Sequence, residues 1–494
     1  MASAAGPRSR GRPAALSTAG VLLPLAIALA LFMLLAASAA VDPARGVTAS
    51  TSPFTDEGWN VLNARNLVLL GTWSTDDWRM YLLNLPYSVL QAGWLALTGV
   101  GIVQARLLDV IVGAIALAAL GLGLRRPLGT AGASLAAAAL GGSALFLYYT
   151  RLAYLEPLVL LWLVVALLLL SGARPSTWTG LLAGAALALA IATKASAGFA
   201  AAGILAGIAV TGWREPPVRR ALAGAVLAMV VAALAWALFL ALPQPAALAT
   251  DLRIWAPEPM PHSLAELVRR IVSYPTRSDG GITLALPLLA AGAIGFLLVA
   301  ARYPVLDDRQ RRIVGATVGW FVVGMGILLV VPYRPNRYLV PLLPPLAILA
   351  GLGFTVVAAW LGPRRRLPTA VLGALLAAVL VVPGLVLHVE WVTQTPTTLP
   401  GVQARLAELI PAGATIQGDL APVLAMRARA ATIVSRPATN VNPGDLYATR
   451  DVRWVLTDGP APAWAPLHAS AWSARTRELC VRWGPGETCL YRLP

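Results

Sequence analysis

The chain is poor in charge. Only 12% of its 494 residues are Asp, Glu, Lys or Arg, against about 25% in an average soluble domain. In contrast, 58% are hydrophobic, and the mean hydropathy is +0.72. This shortage of charge excludes a soluble enzyme, a disordered chain and a coiled coil. A bilayer span needs about 20 apolar residues, so the chain has room for many spans and a small soluble domain.

Lysine, histidine and cysteine are also scarce. Lys194 is the only lysine among 38 basic residues. The three histidines, His262, His388 and His468, are far apart in sequence, so no zinc-ligand cluster is visible. No P-loop or dinucleotide fingerprint is present. No particular cofactor is therefore indicated; a divalent metal is compatible with the chemistry discussed below, but no ligand set is evident.

Long apolar runs predict a polytopic α-helical membrane protein. Runs bounded by charge, proline or polar clusters are typical of transmembrane helices. Eleven are predicted: 20–41, 106–124, 129–148, 157–172, 177–193, 196–213, 221–242, 281–301, 313–332, 338–361 and 368–388. A twelfth apolar stretch, 80–100, mixes aromatic and polar side chains, which favours the membrane interface. We predict a juxtamembrane or re-entrant helix there.

The arginines predict which side of the membrane each loop faces. If 80–100 does not span, the arginine-rich loops all fall on the side of the N-terminal arginines, which the positive-inside rule makes cytoplasmic. The first segment resembles a signal peptide at Ala37-Ser38-Ala39, but its apolar stretch exceeds the usual length of about 7–15 residues. A signal-anchor in the plasma (inner) membrane is predicted instead. The net charge of +16 is then a topology signal and needs no nucleic-acid partner.

Three regions follow from this topology. Residues 1–19 form a cytoplasmic tail, residues 20–389 a transmembrane domain with a long outer loop at 42–105, and residues 390–494 an extracytoplasmic α/β domain. In the last region, short strands flank a Gly-Pro-Gly turn. Cys480 and Cys489 would face each other across that hairpin and form a disulfide; the alternative is two unpaired thiols.

Three acidic residues are candidates for chemistry on the predicted outer side. Asp56 and Glu57 begin an amphipathic segment in the first outer loop. A carboxylate at the membrane surface can take a proton from a hydroxyl. The alternative is that Thr55 or Asp56 caps the helix that follows, with both acids favoured by the helix dipole. Glu156 lies between two spans, where a charge is often functional. Its alternative is a structural pair with Arg151.

The cations on the same side indicate an anion site. Lys194 ends the fifth predicted span, and a lysine is a compact charge suited to a phosphate; alternatively it snorkels to the interface. Arg334, Arg337 and Tyr338 lie in an outer connection, against the positive-inside bias. The alternative is an ordinary charged loop.

One further pair is expected inside the second span. Arg106 and Asp109 are three residues apart near its start, so we predict that they pair with each other.

Taken in order, these motifs resemble the GT-C fold glycosyltransferases. The resemblance is to the group that includes protein O-mannosyltransferases and bacterial aminoarabinose transferases, and it covers roughly residues 20–460. It rests on a series of motifs: Asp56-Glu57, Ala64-Arg65, Gly71-Thr72-Trp73, Ala105-Arg106-Leu107, Arg151 with Glu156, Ala192-Thr193-Lys194, Arg337 to Pro341 with Pro344, and Leu409 to Ala414.

The resemblance implies a function. Such enzymes pass a sugar from a polyprenyl-phosphate donor to a lipid, glycan or protein acceptor at the outer membrane face. It implies that Asp56 is the general base, and that Glu57 and Glu156 orient the acceptor or shape the site. It assigns the donor phosphate to Lys194, Arg337 and Tyr338, with Arg334 as a further candidate, and makes Arg65 and Arg151 supporting residues.

The chain departs from the group at two points. The basic contact that related members carry in the first loop is missing at Asn84 to Tyr87, and the second acid, often Asp, is Glu156. Two other functions stay open, a transporter or flippase of a lipid-linked anion and a non-catalytic scaffold. A transporter is expected to have broken helices with charges near mid-span, whereas these charges lie at span ends.

Overall fold

A computed structural model describes residues 18–43, 55–75, 84–246, 248–249, 261–277, 281–331, 335–362, 366–433, 451–457, 469–483 and 486–494. Most of these residues are helical. The helices are α1 (Thr18–Ala37), α2 (Thr55–Leu70), α3 (Leu85–Thr98), α4 (Ile102–Gly141), α5 (Ala144–Thr150), α6 (Glu156–Leu170), α7 (Thr177–Thr193), α8 (Ala197–Gly212), α9 (Pro216–Trp236, continued by a π turn), α10 (Leu264–Arg277), α11 (Gly281–Ala301), α12 (Asp308–Val330), α13 (Leu343–Leu361), α14 (Arg366–Gln394), α15 (Leu399–Leu409), α16 (Ala421–Leu424) and α17 (Ala469–Ser473). A 3-10 segment, Asn336–Leu342, precedes α13.

The helices confirm an integral, multi-pass membrane protein. Within the described ranges, seven are long and apolar enough to cross a bilayer, namely α1, α4, α9, α11, α12, α14, and α13 with its 3-10 segment. Three more, α6, α7 and α8, are apolar but shorter. The predicted number of eleven spans is therefore not established. With 14 residues, α3 is too short for a span, which fits the juxtamembrane helix predicted for 80–100.

Two of the predicted spans meet at a kink within α4. The runs 106–124 and 129–148 both fall largely in α4, which is interrupted at Gly129. Gly129 has φ +68° and ψ 165°, a conformation that is strained for any residue with a Cβ. Gly129 therefore separates two helical stretches at a kink.

Small residues allow neighbouring spans to approach closely. The contact between α8 and α12 is built on Gly203 and Gly207 against Gly315 and Gly319; a Cβ on Gly207 would lie 1.9 Å from the carbonyl oxygen of Gly315. Such close backbone contact supplies the van der Waals attraction that holds helices together in lipid.

The C-terminal region forms a small sheet with short helices beside it. Its strands are β1 (Thr415–Gln417), β2 (Ala431–Ile433), β3 (Val452–Thr457), β4 (Thr476–Trp483) and β5 (Gly486–Arg492), in the order β2-β1-β3-β5-β4. The pairs β2-β1 and β1-β3 are parallel, whereas β3-β5 and β5-β4 are antiparallel. Helices α15 and α16 alternate along the chain with β1, β2 and β3, as in the predicted α/β domain.

Cys480 and Cys489 form a disulfide across the β4-β5 hairpin. They are nine residues apart, and closing a loop of this length in the unfolded chain stabilises the folded state by about 2–3 kcal/mol. We expect the Cys480→Ser/Cys489→Ser variant to lower the stability of this domain by up to that amount. Limited proteolysis with and without reductant would measure it, and equal cleavage rates would contradict it.

The C-terminal domain docks directly on α2. The buried guanidinium of Arg65 donates to the backbone carbonyls of Met426 (3.1 Å) and Ala430 (2.7 Å), and the indole of Trp59 donates to the carbonyl of Asp419 at 3.2 Å. Burial lowers the pKa of Arg65 to about 10, so the guanidinium stays protonated at neutral pH. These contacts fix α2, and with it the position of its first turn.

Candidate active site

A cavity of about 200 Å³ lies where five segments meet. They are the start of α2, the residue before α3, the turn that leads into α6, the residues that follow α7, and the 3-10 segment before α13. Its lining includes Asp56, Asn60, Asn84, Tyr154, Leu155, Glu156, Lys194, Ala195, Ser196, Arg337 and Tyr338. Residues that are up to 282 positions apart in sequence therefore share one cavity.

Two ion pairs lie side by side in this cavity. The Asp56 carboxylate accepts a hydrogen bond from the Arg337 guanidinium, and the Glu156 carboxylate accepts one from the Lys194 ammonium group. Arg337 Nε also lies 4.0 Å from Glu156 Oε1, which joins the pairs. Two carboxylates and two cations thus compensate each other, and an incoming anion would compete with the carboxylates for both cations.

Aromatic rings border both cations. The Lys194 Nζ atom lies 4.2 Å from the centroid of the Tyr338 ring, and the Arg337 Cζ atom lies 5.7 Å from the rings of Tyr154 and Tyr338. Cations at such distances are attracted by the negative face of the ring. The rings therefore help to hold both cations at the cavity wall.

Glu156 has an unused acceptor. The side chain is 1% exposed, and its Oε2 atom has no hydrogen-bond partner among the described residues. A buried carboxylate oxygen without a donor is costly. A hydroxyl group brought in by a ligand would satisfy it.

Glu57 does not face the cavity. It is fully buried and binds Arg106 through two hydrogen bonds of 2.7 Å, and it accepts a third from the Ala153 backbone N–H at 2.9 Å. Adjacent residues of a helix point about 100° apart, and here Asp56 faces the cavity while Glu57 faces Arg106.

The predicted Arg106–Asp109 pair is wrong. Arg106 turns to Glu57, while the Asp109 carboxylate accepts a hydrogen bond of 2.7 Å from the Tyr87 hydroxyl of α3. Residues at a spacing of three can pair on a helix surface, but both side chains are buried here and find partners on other helices. The spacing rule therefore did not apply.

Arg151 and Arg65 are structural neighbours of the site. Arg151 does not pair with Glu156; its guanidinium donates to the carbonyls of Val41 at 2.8 Å and Ser38 at 3.3 Å. Burial lowers the pKa of Arg151 to about 10. Arg65 acts through the position of α2, as described above. Arg334 lies outside the described residues.

Several polar residues of the cavity were not predicted from the sequence, among them Asn60 and Ser196. Asn60 lies one helical turn after Asp56, and its amide donates to the Ala153 carbonyl at 3.2 Å. Ser196 follows Lys194 by two residues. The i, i+4 spacing from Asp56 was a usable signal for Asn60, whereas nothing in the sequence distinguished Ser196.

Few groups of potential metal ligands lie together in the described part of the chain. In the described part of the chain, one group of three potential ligands lies together, Cys480, Glu487 and Cys489, and its two sulfurs are joined in the disulfide. In the cavity, the carboxylates of Asp56 and Glu156 are each engaged by a cation.

One protein-family model matches part of the chain. Residues 86–238 match the family model described as dolichyl-phosphate-mannose-protein mannosyltransferase. A search of curated protein sequences finds no match.

Solved structures share the fold along nearly the whole chain. ArnT from Cupriavidus metallidurans bound to undecaprenyl phosphate superposes with a TM-score of 0.65 at 16% identity, over 96% of this chain and 98% of that chain. The Archaeoglobus fulgidus oligosaccharyltransferase gives 0.57 at 13% identity, over 90% and 69%. The arabinofuranosyltransferase AftD from mycobacteria gives 0.51 at 16% identity, over 95% and 40%. The chain is therefore a multi-pass membrane protein with the GT-C fold, similar to the glycosyltransferases of the protein mannosyltransferase and ArnT type.

Proposed function

We propose that the protein is a membrane glycosyltransferase that moves a sugar from a polyprenyl-phosphate donor to an acceptor hydroxyl at the outer face of the membrane. The observation that carries the proposal is the convergence of Asp56, Glu156, Lys194 and Arg337 in one cavity. The N-terminus is then cytoplasmic and the C-terminal domain extracytoplasmic.

The two cations are suited to hold the donor phosphate. Lys194 offers a point charge and Arg337 a planar fork, which together can contact several phosphate oxygens. Both are only slightly exposed, so their attraction for an anion is weakly screened. The ArnT structure that shares this fold holds undecaprenyl phosphate, which supports a lipid phosphate as the anion here.

Asp56 is suited to accept the proton of the acceptor. The acceptor oxygen attacks the anomeric carbon of the sugar, and the bond from that carbon to the phosphate oxygen breaks. The electron pair leaves with the polyprenyl phosphate, whose charge Lys194 and Arg337 stabilise. The acceptor proton passes to Asp56, which the phosphate has released from Arg337. Glu156 holds Lys194, and its free Oε2 accepts from a sugar or acceptor hydroxyl.

The alternative function, a flippase of the same lipid anion, would use the cations but not the base. Loss of transfer with retained lipid-phosphate binding in Asp56→Asn separates the two functions.

Removing Lys194 should strongly slow transfer. We expect Lys194→Met to lower kcat/KM by about 10²–10³-fold, because one of the two charges that stabilise the leaving phosphate is lost. The assay follows release of polyprenyl phosphate by the purified protein in liposomes. Arg405→Met removes an exposed cation from the C-terminal domain and should leave the rate unchanged.

A double variant separates an effect of Lys194 on catalysis from its effect on stability. Lys194→Met removes the cation that donates to the buried Glu156 and leaves only the more distant Arg337 near it, which destabilises the protein. Adding Glu156→Gln removes that buried charge, so Lys194→Met/Glu156→Gln should regain thermal stability and stay inactive. Full activity in the double variant would contradict the role of Lys194.

A further inference from the structure

The short turn between α7 and α8 is one wall of the candidate active site. It consists of Lys194, Ala195 and Ser196, and all three residues line the cavity. Lys194 has an extended backbone, with φ −155° and ψ 116°, so the chain leaves α7 abruptly and crosses the wall before α8 begins. The proposed transfer reaction uses the Lys194 side chain, but it gives no role to the hydroxyl of Ser196.

The Ser196 hydroxyl takes no part in capping α8. A serine directly before a helix normally accepts a hydrogen bond from a backbone N–H of the first turn. Here Ser196 itself has helical backbone angles, φ −62° and ψ −17°, and its side chain makes no capping hydrogen bond. The N–H groups of Gly198 and Phe199 donate instead to the carbonyls of Ala195 (3.0 Å) and Ser196 (3.3 Å). Because the backbone satisfies these donors, the fold does not use the hydroxyl as a cap.

The Ser196 hydroxyl belongs to an exposed side chain of the cavity wall. Ser196 and Ala195 are both exposed, and both line the cavity. Thr193, on the other side of Lys194, is the opposite case. It is fully buried, and its hydroxyl donates to the Leu189 carbonyl within α7 at 2.7 Å. Of the two hydroxyls that flank Lys194, the one on Ser196 is therefore the one that a bound molecule can reach.

The surroundings of Ser196 favour an anion. Lys194, two residues earlier on the same turn, lines the cavity together with Arg337. Ser196 also lies directly before α8, a helix of 16 residues, and the N-terminal end of a helix favours negative charge. A serine hydroxyl can donate or accept a hydrogen bond, and next to a cation it is suited to donate to the anion that the cation binds. In the transfer reaction that anion is the phosphate of the donor.

We propose that the Ser196 hydroxyl donates a hydrogen bond to a phosphate oxygen of the polyprenyl-phosphate substrate, beside Lys194 and Arg337. This role rests on the proposed function. The phosphate carries one negative charge while the sugar is attached, and it gains a second when the bond from the anomeric carbon to the phosphate oxygen breaks. Hydrogen bonds to charged acceptors are the stronger ones, so Ser196 stabilises the departing phosphate more than the bound donor and thereby raises kcat.

Binding of undecaprenyl phosphate to the purified full chain in nanodiscs tests this role without knowledge of the sugar. Ser196→Ala should weaken binding about 5- to 20-fold, as expected for the loss of one hydrogen bond to a charged acceptor. Ser196→Thr keeps a hydroxyl and should bind nearly as well as the wild type. Undecaprenol, which has the same chain without the phosphate, should bind to the wild type and to Ser196→Ala equally.

Ser176→Ala is the matched control at the other end of α7. Ser176 does cap its helix, because its hydroxyl accepts from the Thr179 N–H at 3.2 Å. Ser176→Ala should therefore lower the melting temperature and leave the affinity for undecaprenyl phosphate unchanged. Ser196→Ala should do the reverse, since no cap is lost. A residue with only a structural role would not separate affinity from stability in this way.

Lys194→Met/Glu156→Gln separates failure of this role from failure of the proposed function. The double variant should also bind undecaprenyl phosphate more weakly than the wild type, because it lacks the ammonium group that contacts the phosphate. If it does so while Ser196→Ala binds like the wild type, or if Ser196→Ala weakens undecaprenol binding equally, Ser196 does not contact the phosphate and only its role is overturned. If both variants bind undecaprenyl phosphate like the wild type, the phosphate site is misplaced and both proposals fail.

Discussion

Asp56→Asn is expected to abolish sugar transfer while leaving the protein folded and able to bind the donor phosphate. General-base catalysis contributes about 10²–10⁴-fold, so kcat should fall by about 10³-fold. The amide has nearly the same shape as the carboxylate but cannot take the acceptor's proton. Because it also no longer neutralises Arg337, affinity for the polyprenyl phosphate should be unchanged or higher.

The control for this experiment lies in the C-terminal domain. Asp451→Asn removes an exposed carboxylate that also pairs with an arginine, and it should leave both kcat and lipid binding unchanged. The transfer rate is measured with purified protein in liposomes, and lipid binding is measured separately on the same preparations. An Asp56→Asn variant with more than a tenth of the wild-type kcat would show that another group is the base.

Glu57→Gln is expected to destabilise the protein and to affect activity only through folding. Its carboxylate and Arg106 form an ion pair that is fully buried. Removing one charge of such a pair leaves the other buried and unpaired, at a cost of about 3–5 kcal/mol. The melting temperature in detergent should fall sharply, and the fraction that stays folded at low temperature should keep its kcat.

An exposed ion pair supplies the comparison. Glu408 and Arg405 are 3.0 Å apart and largely exposed, so Glu408→Gln should change the free energy of unfolding by at most about 1 kcal/mol. If Glu57→Gln melts like Glu408→Gln but loses kcat, then Glu57 takes part in the chemistry and the geometric separation of the two acids is wrong.

The sequence was informative about which charged side chains share the candidate active site. The sidedness inferred from the arginines put Asp56, Glu156, Lys194 and Arg337 on one face of the membrane, and all four lie in one cavity. Those side chains lie at helix ends, where position along the chain and position across the membrane are closely linked. The sequence alone could therefore assemble most of this group.

The partners of buried charged side chains could not be predicted from the sequence in this way. Arg106 pairs with Glu57 from 49 residues away, and Arg65 binds carbonyls about 360 residues further along the chain. These contacts depend on how α2, α4 and the C-terminal domain pack, which neither hydropathy nor residue spacing reports.

Lipid mass spectrometry of membranes that contain the protein, lack it, or carry Asp56→Asn tests the proposed function most directly. If the protein is a glycosyltransferase, a sugar-linked polyprenyl phosphate should accumulate in membranes without the protein and with Asp56→Asn, and should return to the wild-type level with Asp451→Asn. Identical polyprenyl-phosphate species in all four membranes would contradict the assignment of a polyprenyl-linked donor to this chain.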